Sequence, residues 1–371
     1  MKIAIVHEYL CKLGGAERVL KSVCEIFPHS DIYCLVDKGT AKDLKIKNNV
    51  ISATRKFPKF LLKKYQFLAP IYPLLIENID LSDYEIVISL SNSFSHGVVT
   101  NQDCLHVNYY HSPMRFIWDY KNEYPNEIGL NKLTRFFWSF ISVHLRKWDF
   151  IAAQKSDINL CISKIVQKRI QKYFKRSAKI ISPPVQTDDF NYQNDKGYFL
   201  IVSRLSRYKN IELAVKSFNK ISDKLIIAGT GEQENELRKI ANSNIKFLGR
   251  VSDKKRIDLF NNCKGFLFLN EEDFGITPIE AMASGKPVLA YRKGGLLETI
   301  EENKNGLFFD DLNTESFLKR FKDFKDFINS RFEPQVNVKK AANYSEDHFK
   351  RKFLKSIKDA YLEKTGIEFK L

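Results

Sequence analysis

Two glutamates separated by seven residues are the feature of this sequence best suited to carry chemistry. Glu272 and Glu280 lie eight positions apart, after an apolar run that predicts a strand. If Thr277-Pro278 opens a helix, Pro278 takes the first helical position, where its missing N–H loses no hydrogen bond. The free N–H groups near Gly275–Thr277 then suit a phosphate, and the two carboxylates suit sugar hydroxyls on either side. The alternative is a capped strand-to-helix turn with solvated acids.

A basic loop follows another apolar run. Arg204 and Lys209 come directly after Tyr198–Val202, which predicts a strand. Because α/β proteins bind ligands at the carboxyl ends of parallel strands, both cations are expected at such a crevice. The guanidinium fork and the ammonium group each suit a diphosphate. The alternative is a solvated basic loop.

Two glycines and a histidine hold equivalent positions in the first half of the chain. Gly14 and Gly15 follow the predicted strand Lys2–Val6, where a glycine pair lets the backbone approach a phosphate or sugar closely. His111 follows the predicted strand Leu105–Tyr110 and is therefore placed to face a crevice. The alternatives are a tight turn for the glycines and a structural role for the histidine.

The sequence lacks the signature motifs of several other enzyme classes. The segment Gly229-Thr230-Gly231 has Glu234 where a dinucleotide fingerprint needs its third glycine, which disfavours a Rossmann dehydrogenase. The sequence contains no GxSxG elbow, no HExxH motif and no Walker A lysine loop. Its six cysteines form no CxxC pair, so we predict free thiols in a reducing cytoplasm and no metal site.

These residues need a scaffold, and the sequence predicts two α/β halves. Apolar runs alternate with amphipathic helical stretches, a pattern typical of parallel sheets. A length of 371 residues suits two domains, and Pro183-Pro184 makes a stiff connector between them. We therefore predict domains at 1–182 and 183–344 and a terminal helical segment at 345–371.

The net charge predicts an anionic partner. The chain carries 60 Lys and Arg against 44 Asp and Glu, a formal charge of +16. Residues 1–180 hold 27 of the basic and 16 of the acidic side chains, so most of the excess lies in the first half. No zinc finger or RNP-type pattern occurs, which argues against nucleic acid. A hydrophobic content of 44% excludes intrinsic disorder.

Two segments of the first half combine cations with large apolar side chains. The first contains no acid between Asp43 and Glu77 and includes Arg55–Tyr65, and the second is 133–141. Such a composition suits an anionic membrane surface, whereas the alternative is a core-packing helix with a solvated basic face. Three prolines predict that the first segment is not one long helix: Pro58, Pro70 and Pro73. We expect no secretory signal and no spanning helix, because every apolar run is too short.

Together these motifs resemble the retaining GT-B glycosyltransferases of family 4, and within it the mannosyltransferases that build bacterial O-antigen and other surface polysaccharides. The residues that carry the resemblance are Lys2–Val6, Gly14–Val19, Tyr109–Arg115, Pro183–Val185, Ser203–Leu205 with Lys209, Glu272–Val288 and Gly294–Thr299. The glutamate pair with its flanks is the specific part. Asp273 stands where the wider family often has Gly, and the form Glu-Asp-Phe-Gly-Ile occurs in the mannosyltransferase-like branch.

The resemblance implies two Rossmann-like parallel-sheet domains that face each other across a cleft. The domain at 1–182 would bind the acceptor, the domain at 183–344 would bind the nucleotide-sugar donor, and the helix at 345–371 would cross back onto the first domain. The family lacks a clear protein nucleophile and retains the anomeric configuration, so catalysis would consist of positioning and of stabilising the leaving group's charge.

The resemblance also implies a role for each candidate residue. Glu280 would hold the ribose hydroxyls, Glu272 the hydroxyls of the transferred sugar, and Arg204 and Lys209 the diphosphate. His111 would contact the sugar near the reacting carbon. The remaining candidates would bring backbone or side chain against the donor: Gly14, Gly15, Phe274, Gly275, Ile276 and Thr277.

The resulting hypothesis is a cytoplasmic enzyme, peripheral at the inner face of the cell membrane. It would transfer mannose from GDP-mannose to a polyprenyl-diphosphate-linked saccharide, with no metal and no cofactor beyond the nucleotide-sugar substrate. A UDP-sugar donor, or a nucleotide-sugar epimerase on the same fold, is the alternative.

Overall fold

The computed structural model describes residues 1–11, 13–63, 65–127 and 129–369. The chain folds as two compact units, the first made of Met1–Pro183 with Phe349–Leu371 and the second of Pro184–His348. The predictions made for Lys64 in the basic segment and for the last two residues of 345–371 lie outside the described residues.

The first unit is built on a parallel sheet. Within the described residues its seven strands are β1 Ile3–Leu10, β2 Asp31–Asp37, β3 Val50–Ser52, β4 Ile86–Ser91, β5 Leu105–Tyr110, β6 Ile158–Cys161 and β7 Lys179–Ile180. They lie in the order β3-β2-β1-β4-β5-β6-β7. Helices connect them: α1 Gly15–Ile26, α2 Thr40–Asp43, α3 Lys59–Lys63, α4 Tyr72–Glu77, α5 Tyr124–Glu127, α6 Lys132–Ala152 and α7 Lys164–Phe174.

The second unit repeats this arrangement. Its six described strands are β8 Tyr198–Val202, β9 Lys224–Ala228, β10 Ile245–Gly249, β11 Gly265–Phe268, β12 Val288–Tyr291 and β13 Gly306–Phe309. They lie in the order β10-β9-β8-β11-β12-β13. The helices are α8 Ile211–Phe218, α9 Glu234–Ile240, α10 Asp253–Asn262, α11 Ile276–Ala283, α12 Leu296–Thr299, α13 Thr314–Ser330 and α14 Pro334–Ala342.

All strand pairs of both sheets are parallel, so the prediction of two Rossmann-like parallel-sheet domains is confirmed. In each sheet the strand order reverses once, between β1 and β4 in the first unit and between β8 and β11 in the second. Such reversal points leave a crevice at the carboxyl ends of the strands. The fold therefore predicts that ligand-binding residues of each unit lie in the loops that follow these strands.

Buried apolar side chains hold each sheet to its helices. In the second unit Phe199 of β8 packs against Phe321 of α13, with ring centroids 4.6 Å apart, and Phe218 of α8 lies 5.1 Å from the same ring. A terminal helix, α15 Glu346–Thr365, enters the first unit at Phe349. There Phe349 and Phe353 pack edge-on against Tyr109 of β5.

The segment between β3 and β4 is broken into short helices. Helix α3 is followed by a 3₁₀ helix at Tyr65–Ile71 and then by α4, whose second residue is Pro73. The prediction that prolines prevent one long helix here is therefore confirmed. The edge strands β3, β7 and β13 were not predicted. The first two have only three and two residues, which are too few to show a periodicity. No helix within the described residues is long and apolar enough to cross a membrane.

A buried carboxylate fixes the loop at the reversal point of the first sheet. Glu8 of β1 is 1% exposed. Its Oε1 accepts hydrogen bonds from the backbone N–H groups of Ser93 at 2.8 Å, Phe94 at 2.9 Å and Ser95 at 3.1 Å. Because one carboxylate accepts several N–H groups of the loop, Glu8 ties the residues after β4 to β1.

Replacing Glu8 is expected to loosen this loop. Glu8→Ala leaves several buried N–H groups without an acceptor, which costs about 2–3 kcal/mol of unfolding free energy. Glu8→Gln keeps one acceptor oxygen and should lose less. Hydrogen exchange of residues 91–97 by mass spectrometry, together with the thermal midpoint of the full chain, measures both effects. Exchange in Glu8→Ala that is as slow as in the wild type would contradict this account.

Candidate functional site

The predicted site residues fall in both units. In the second unit Lys209 Nζ forms an ion pair with Glu272 Oε1. Lys209 follows β8 and Glu272 follows β11, so the pair joins the two loops at the reversal point of this sheet. Asn270 Nδ2 donates to the same carboxylate oxygen at 3.1 Å. The structure thus brings together two residues that lie 63 positions apart in the sequence.

Arg204 lies in the same loop as Lys209 but differs from it in exposure. Its side chain is exposed, whereas Lys209 is largely covered. Within the described ranges no carboxylate forms an ion pair with Arg204. In this loop Lys209 is therefore paired with Glu272, whereas Arg204 faces solvent.

Glycines allow the loop of Arg204 to pack against its neighbour. A Cβ on Gly229 would lie 1.8 Å from the carbonyl oxygen of Ser203, and one on Gly231 would lie 2.2 Å from that of Leu205. Leu205 N–H also donates to the Thr230 carbonyl at 3.0 Å. These two glycines therefore serve backbone contact between the loops after β8 and β9.

A second glycine pair holds the loop of Glu272. Gly295 N–H donates to the Glu272 carbonyl at 2.8 Å. Gly294 has a φ of +75°, and a Cβ there would lie 2.2 Å from that carbonyl oxygen. A Cβ on Gly295 would lie 2.4 Å from the carbonyl oxygen of Asp273. Only glycine fits either position, so the loop after β12 fixes the backbone that presents the Glu272 carboxylate.

Helix α11 begins earlier than the sequence predicted. Gly275, with a φ of +94°, precedes the helix, and Ile276 and Thr277 are its first two residues. Pro278 is therefore the third helical residue, and the prediction that it occupies the first position is wrong. The physical reason is that Gly275 can adopt the left-handed conformation, which lets the helix begin two residues earlier, at Ile276. Pro278 remains within the first turn, where no helical N–H bond is lost.

Phe274 and Glu280 are both buried, but for different purposes. The Phe274 ring packs edge-on against Tyr344, with centroids 5.5 Å apart, so it anchors the loop to the rest of the second unit. Glu280 is 1% exposed and forms an ion pair with Arg256 Nη1 of α10. Arg256 also contacts Asp253 Oδ1 at 3.2 Å. Burial lowers the pKa of the Arg256 guanidinium, but Glu280 and Asp253 outweigh it and raise that pKa above its ordinary value.

In the first unit the candidate glycines lie at the start of α1. Gly14 precedes the helix and Gly15 is its first residue. A Cβ on Gly14 would lie 2.9 Å from Glu17 Oε2. The other oxygen of Glu17 lies 3.8 Å from His7 Nε2, and both side chains are largely buried. Glycine at position 14 therefore leaves room for the Glu17 carboxylate.

His111 follows β5, as predicted, and its imidazole is buried. Burial, with a smaller contribution from the neighbouring His7, lowers the pKa of His111 to about 3. Its Nε2 and the Ser112 hydroxyl are buried, and neither has a hydrogen-bond partner among the described residues. At neutral pH His111 is therefore an uncharged imidazole that can exchange a hydrogen bond with a ligand but supplies no positive charge.

Comparison with known proteins now assigns the second unit. Residues 185–343 match the family model described as "Glycosyl transferases group 1". The second unit carries a glycosyltransferase group 1 domain. The ion pair, the two glycine pairs and the buried Glu280 all lie within this glycosyltransferase domain.

Curated relatives match part of the chain at low identity. The alpha-1,3/1,6-mannosyltransferase ALG2 of Dictyostelium discoideum is 25% identical over 245 residues, which cover 53% of this chain and 56% of that protein. ALG2 of Candida glabrata is 27% identical over 210 residues, which cover 42% of this chain and 46% of that protein. The chain thus spans about half the length of the curated relatives that it matches.

Solved structures resemble the whole chain. The crystal structure of Anabaena HepE in complex with UDP has a TM-score of 0.70 and 16% identity, and the match covers 97% of this chain and 100% of that one. Sucrose-phosphate synthase from Thermosynechococcus elongatus has a TM-score of 0.67 and 14% identity, with 98% and 99% covered. At these identities the likeness concerns the fold, and it confirms the GT-B class.

Several residues around the glycosyltransferase domain's glutamates were not predicted. Arg256 contacts Glu280 and Asn270 contacts Glu272. In the first unit Glu17 lies beside Gly14, and His7 neighbours His111. No spacing in the sequence connects Arg256 with Glu280, because they lie on different helices. Glu17 had one usable signal, its position in the motif Gly14–Val19.

The Arg256–Glu280 pair is expected to stabilise the second unit. Arg256→Met leaves a buried carboxylate without its guanidinium, which costs about 3 kcal/mol of unfolding free energy. Adding Glu280→Gln to Arg256→Met removes that charge and should restore much of the loss. Urea unfolding of the full chain, followed through the transition of the second unit, measures both. Arg250→Met, at an exposed arginine of the same unit, is the control; an Arg256→Met midpoint equal to the control's would contradict the pairing.

Two buried histidines predict acid sensitivity of the first unit. Burial lowers the pKa of His106 and of His111 to about 3, whereas an unfolded chain protonates histidine near about 6.5. Between these values the unfolded state binds protons that the folded state does not, so stability decreases as pH falls. We expect the thermal midpoint to fall less steeply below about pH 6.5 in His106→Gln/His111→Gln than in the wild type. Parallel profiles would contradict the two assignments.

Proposed function

We propose that this protein is a retaining glycosyltransferase that transfers mannose from GDP-mannose to a saccharide carried on a polyprenyl diphosphate. The observation that carries the proposal is the Lys209–Glu272 pair, which lies at the strand reversal of a glycosyltransferase group 1 domain. Ligands of doubly wound sheets bind at such a point. The choice of mannose is supported by the mannosyltransferase relatives.

Lys209 can serve Glu272 and the donor together. An ammonium group has three N–H donors, so it can keep its bond to Glu272 while donating to a phosphate oxygen. The second carboxylate oxygen of Glu272 then accepts hydrogen bonds from hydroxyls of the transferred sugar. The exposed guanidinium of Arg204 binds the diphosphate from the same loop.

The remaining candidates position the donor. Glu280, held by Arg256, accepts the hydroxyls of the ribose, and the amides of Gly275, Ile276 and Thr277 face the phosphate end. In the first unit Gly14 and Gly15 bring backbone against the phosphate and sugar. Neutral His111 hydrogen-bonds the sugar near the reacting carbon.

The reaction breaks the bond between the anomeric carbon and the diphosphate and forms one to the acceptor oxygen. The leaving phosphate accepts the acceptor's proton on the same face, which retains the anomeric configuration. Catalysis is then positioning plus stabilisation of negative charge by Arg204 and Lys209. Within the described residues no three His, Cys, Asp or Glu side chains are grouped to hold a metal ion. We propose that Arg204 and Lys209 neutralise the charge of the leaving diphosphate, as a divalent metal ion does in other enzymes.

A UDP-sugar is the second candidate donor. The observation in its favour is that structural neighbours were solved with UDP and with UDP-glucose bound. An epimerase on the same fold would convert the donor without any acceptor. The acceptor is assigned to the first unit, whose basic excess suits a diphosphate-linked lipid at an anionic membrane surface. We place the enzyme in the cytoplasm at the inner face of the cell membrane.

Titration with free nucleotides and a donor panel tests the donor assignment. We expect GDP to bind more tightly than UDP by isothermal titration calorimetry, and GDP-mannose to give a glycosylated product with polyprenyl-diphosphate saccharides by mass spectrometry. Tighter binding of UDP would favour the second candidate, and conversion of the donor without acceptor would favour the epimerase. Absence of turnover with every donor would overturn the proposed activity.

Substitutions test the site itself. Glu272→Gln, Lys209→Met and Arg204→Ala should each lower kcat by about 100-fold or more, because each removes a charge next to the developing diphosphate or the sugar. Two matched controls lie in the same unit, Arg207→Ala beside Arg204 and Glu236→Gln on the exposed side of α9, and both should retain activity. Circular dichroism and thermal midpoints verify the folding of each variant. Near wild-type kcat in all three site variants would show that the site is elsewhere.

A further inference from the structure

Helix α6 of the first unit presents large apolar side chains to solvent along its whole length. Six of them are between 40% and 60% exposed: Phe136, Phe137, Phe140, Val143, Phe150 and Ile151. At 100° per residue these positions fall on one side of the helix. Phe136, Phe137, Phe140 and Val143 form one cluster, which Lys147 separates from Phe150 and Ile151. A cluster of exposed large apolar side chains marks an interaction site rather than ordinary surface. We call these six residues the outer face of α6.

The outer face is exposed although the helix is firmly packed. On its opposite side Leu145 is 3% exposed and Asp149 is fully buried. Asp149 accepts a bond from Trp118 Nε1 at 2.6 Å and lies 3.0 Å from His96 Nε2. The inner side therefore packs into the first unit through Leu145 and the contacts of Asp149, whereas the outer face stays exposed among the described residues.

The exposed charged residues of α6 itself are all basic. Between Glu127 and Asp157 the only acidic residue is Asp149, which the inner side buries. Three exposed cations lie on the helix, Lys132 and Arg135 near its start and Lys147 toward its end. A partner that covers this face must therefore be apolar and also tolerate or attract positive charge.

The basic segment between β3 and β4 lies beside α6 and has the same character. Trp148 Nε1 of α6 donates to Glu77 Oε1 of α4 at 2.8 Å, and side chains of both segments belong to one core cluster. This segment exposes Phe60, Phe67 and Leu74 by 60% or more. Two neighbouring elements of the first unit thus expose aromatic and aliphatic side chains among cations.

We propose that the outer face of α6 is a docking surface for an anionic lipid bilayer, in which the helix lies in the plane of the interface. Aromatic side chains among cations suit the boundary between acyl chains and anionic headgroups. A second copy of this chain would bring two positively charged faces together, which charge repulsion disfavours. That the partner is a lipid bilayer rests on the proposed function, with its lipid-linked acceptor. That this face binds some partner follows from its exposed apolar side chains alone.

Vesicle flotation of the full-length protein tests this surface. We expect binding to phosphatidylcholine vesicles that contain phosphatidylglycerol, weaker binding to phosphatidylcholine alone, and weakening at high salt. Phe136→Ser/Phe137→Ser/Phe140→Ser should lower the partition coefficient about tenfold or more. The matched control is Leu312→Ser/Leu362→Ser, which changes exposed leucines on other faces and should bind as the wild type does.

Two further measurements make each outcome decisive. Hydrogen exchange of residues 136–151 in the wild-type protein should slow when anionic vesicles are added, and this requires no variant to fold. Light scattering follows the oligomeric state of the same proteins. Unchanged exchange, equal binding to neutral vesicles, or a dimer that the triple substitution abolishes would each overturn the proposal.

Donor chemistry is measured separately from binding to vesicles. GDP and UDP titrations of the triple variant should match those of the wild type, because none of its three positions belongs to the donor site. Loss of vesicle binding with intact nucleotide binding supports the docking surface. Intact vesicle binding in a protein that turns over no donor would leave the surface standing and remove the proposed function.

Discussion

The candidate site depends on backbone segments that approach each other more closely than any side chain would allow. In the second unit the loops after four strands meet at positions held by glycine, where added Cβ atoms would lie 1.8–2.4 Å from a carbonyl oxygen: Gly229, Gly231, Gly294 and Gly295. The first two glycines hold the loop after β9 against the loop that carries Lys209, and the last two hold the loop after β12 against the loop that carries Glu272. The Lys209–Glu272 ion pair then joins the two braced loops.

In the first unit a buried carboxylate, rather than glycines, holds neighbouring backbone segments together. At its strand reversal the Glu8 carboxylate gathers the N–H groups of the loop after β4 and binds that loop to β1. Arg256 acts in a related way, as a buried charge that pairs with Glu280 of the predicted site. In both units the polar groups at the carboxyl ends of the strands are therefore held by partners that the sequence does not place next to them.

The positive charge of the chain divides into two physical roles. Arg204 and Lys209 are single cations at a loop in the second unit, where burial and geometry decide what each can contact. The larger excess of residues 1–180 is spread over surface that also exposes phenylalanine, around α6 and the segment after β3. A net charge alone cannot separate these roles, because it contains no information on which apolar side chains surround each cation.

The sequence by itself determined the sheet class and most strands, because long apolar runs such as Leu105–Tyr110 and Tyr198–Val202 are local signals. It also determined which glutamates, cations and glycines were candidates, since they follow those runs directly. Tertiary structure alone decided that Lys209 pairs with Glu272, that Arg256 supports Glu280, that α11 begins at Ile276, and that α6 turns phenylalanines outward. Contacts between distant segments depend on strand order and on packing, and neither can be read from a local sequence pattern.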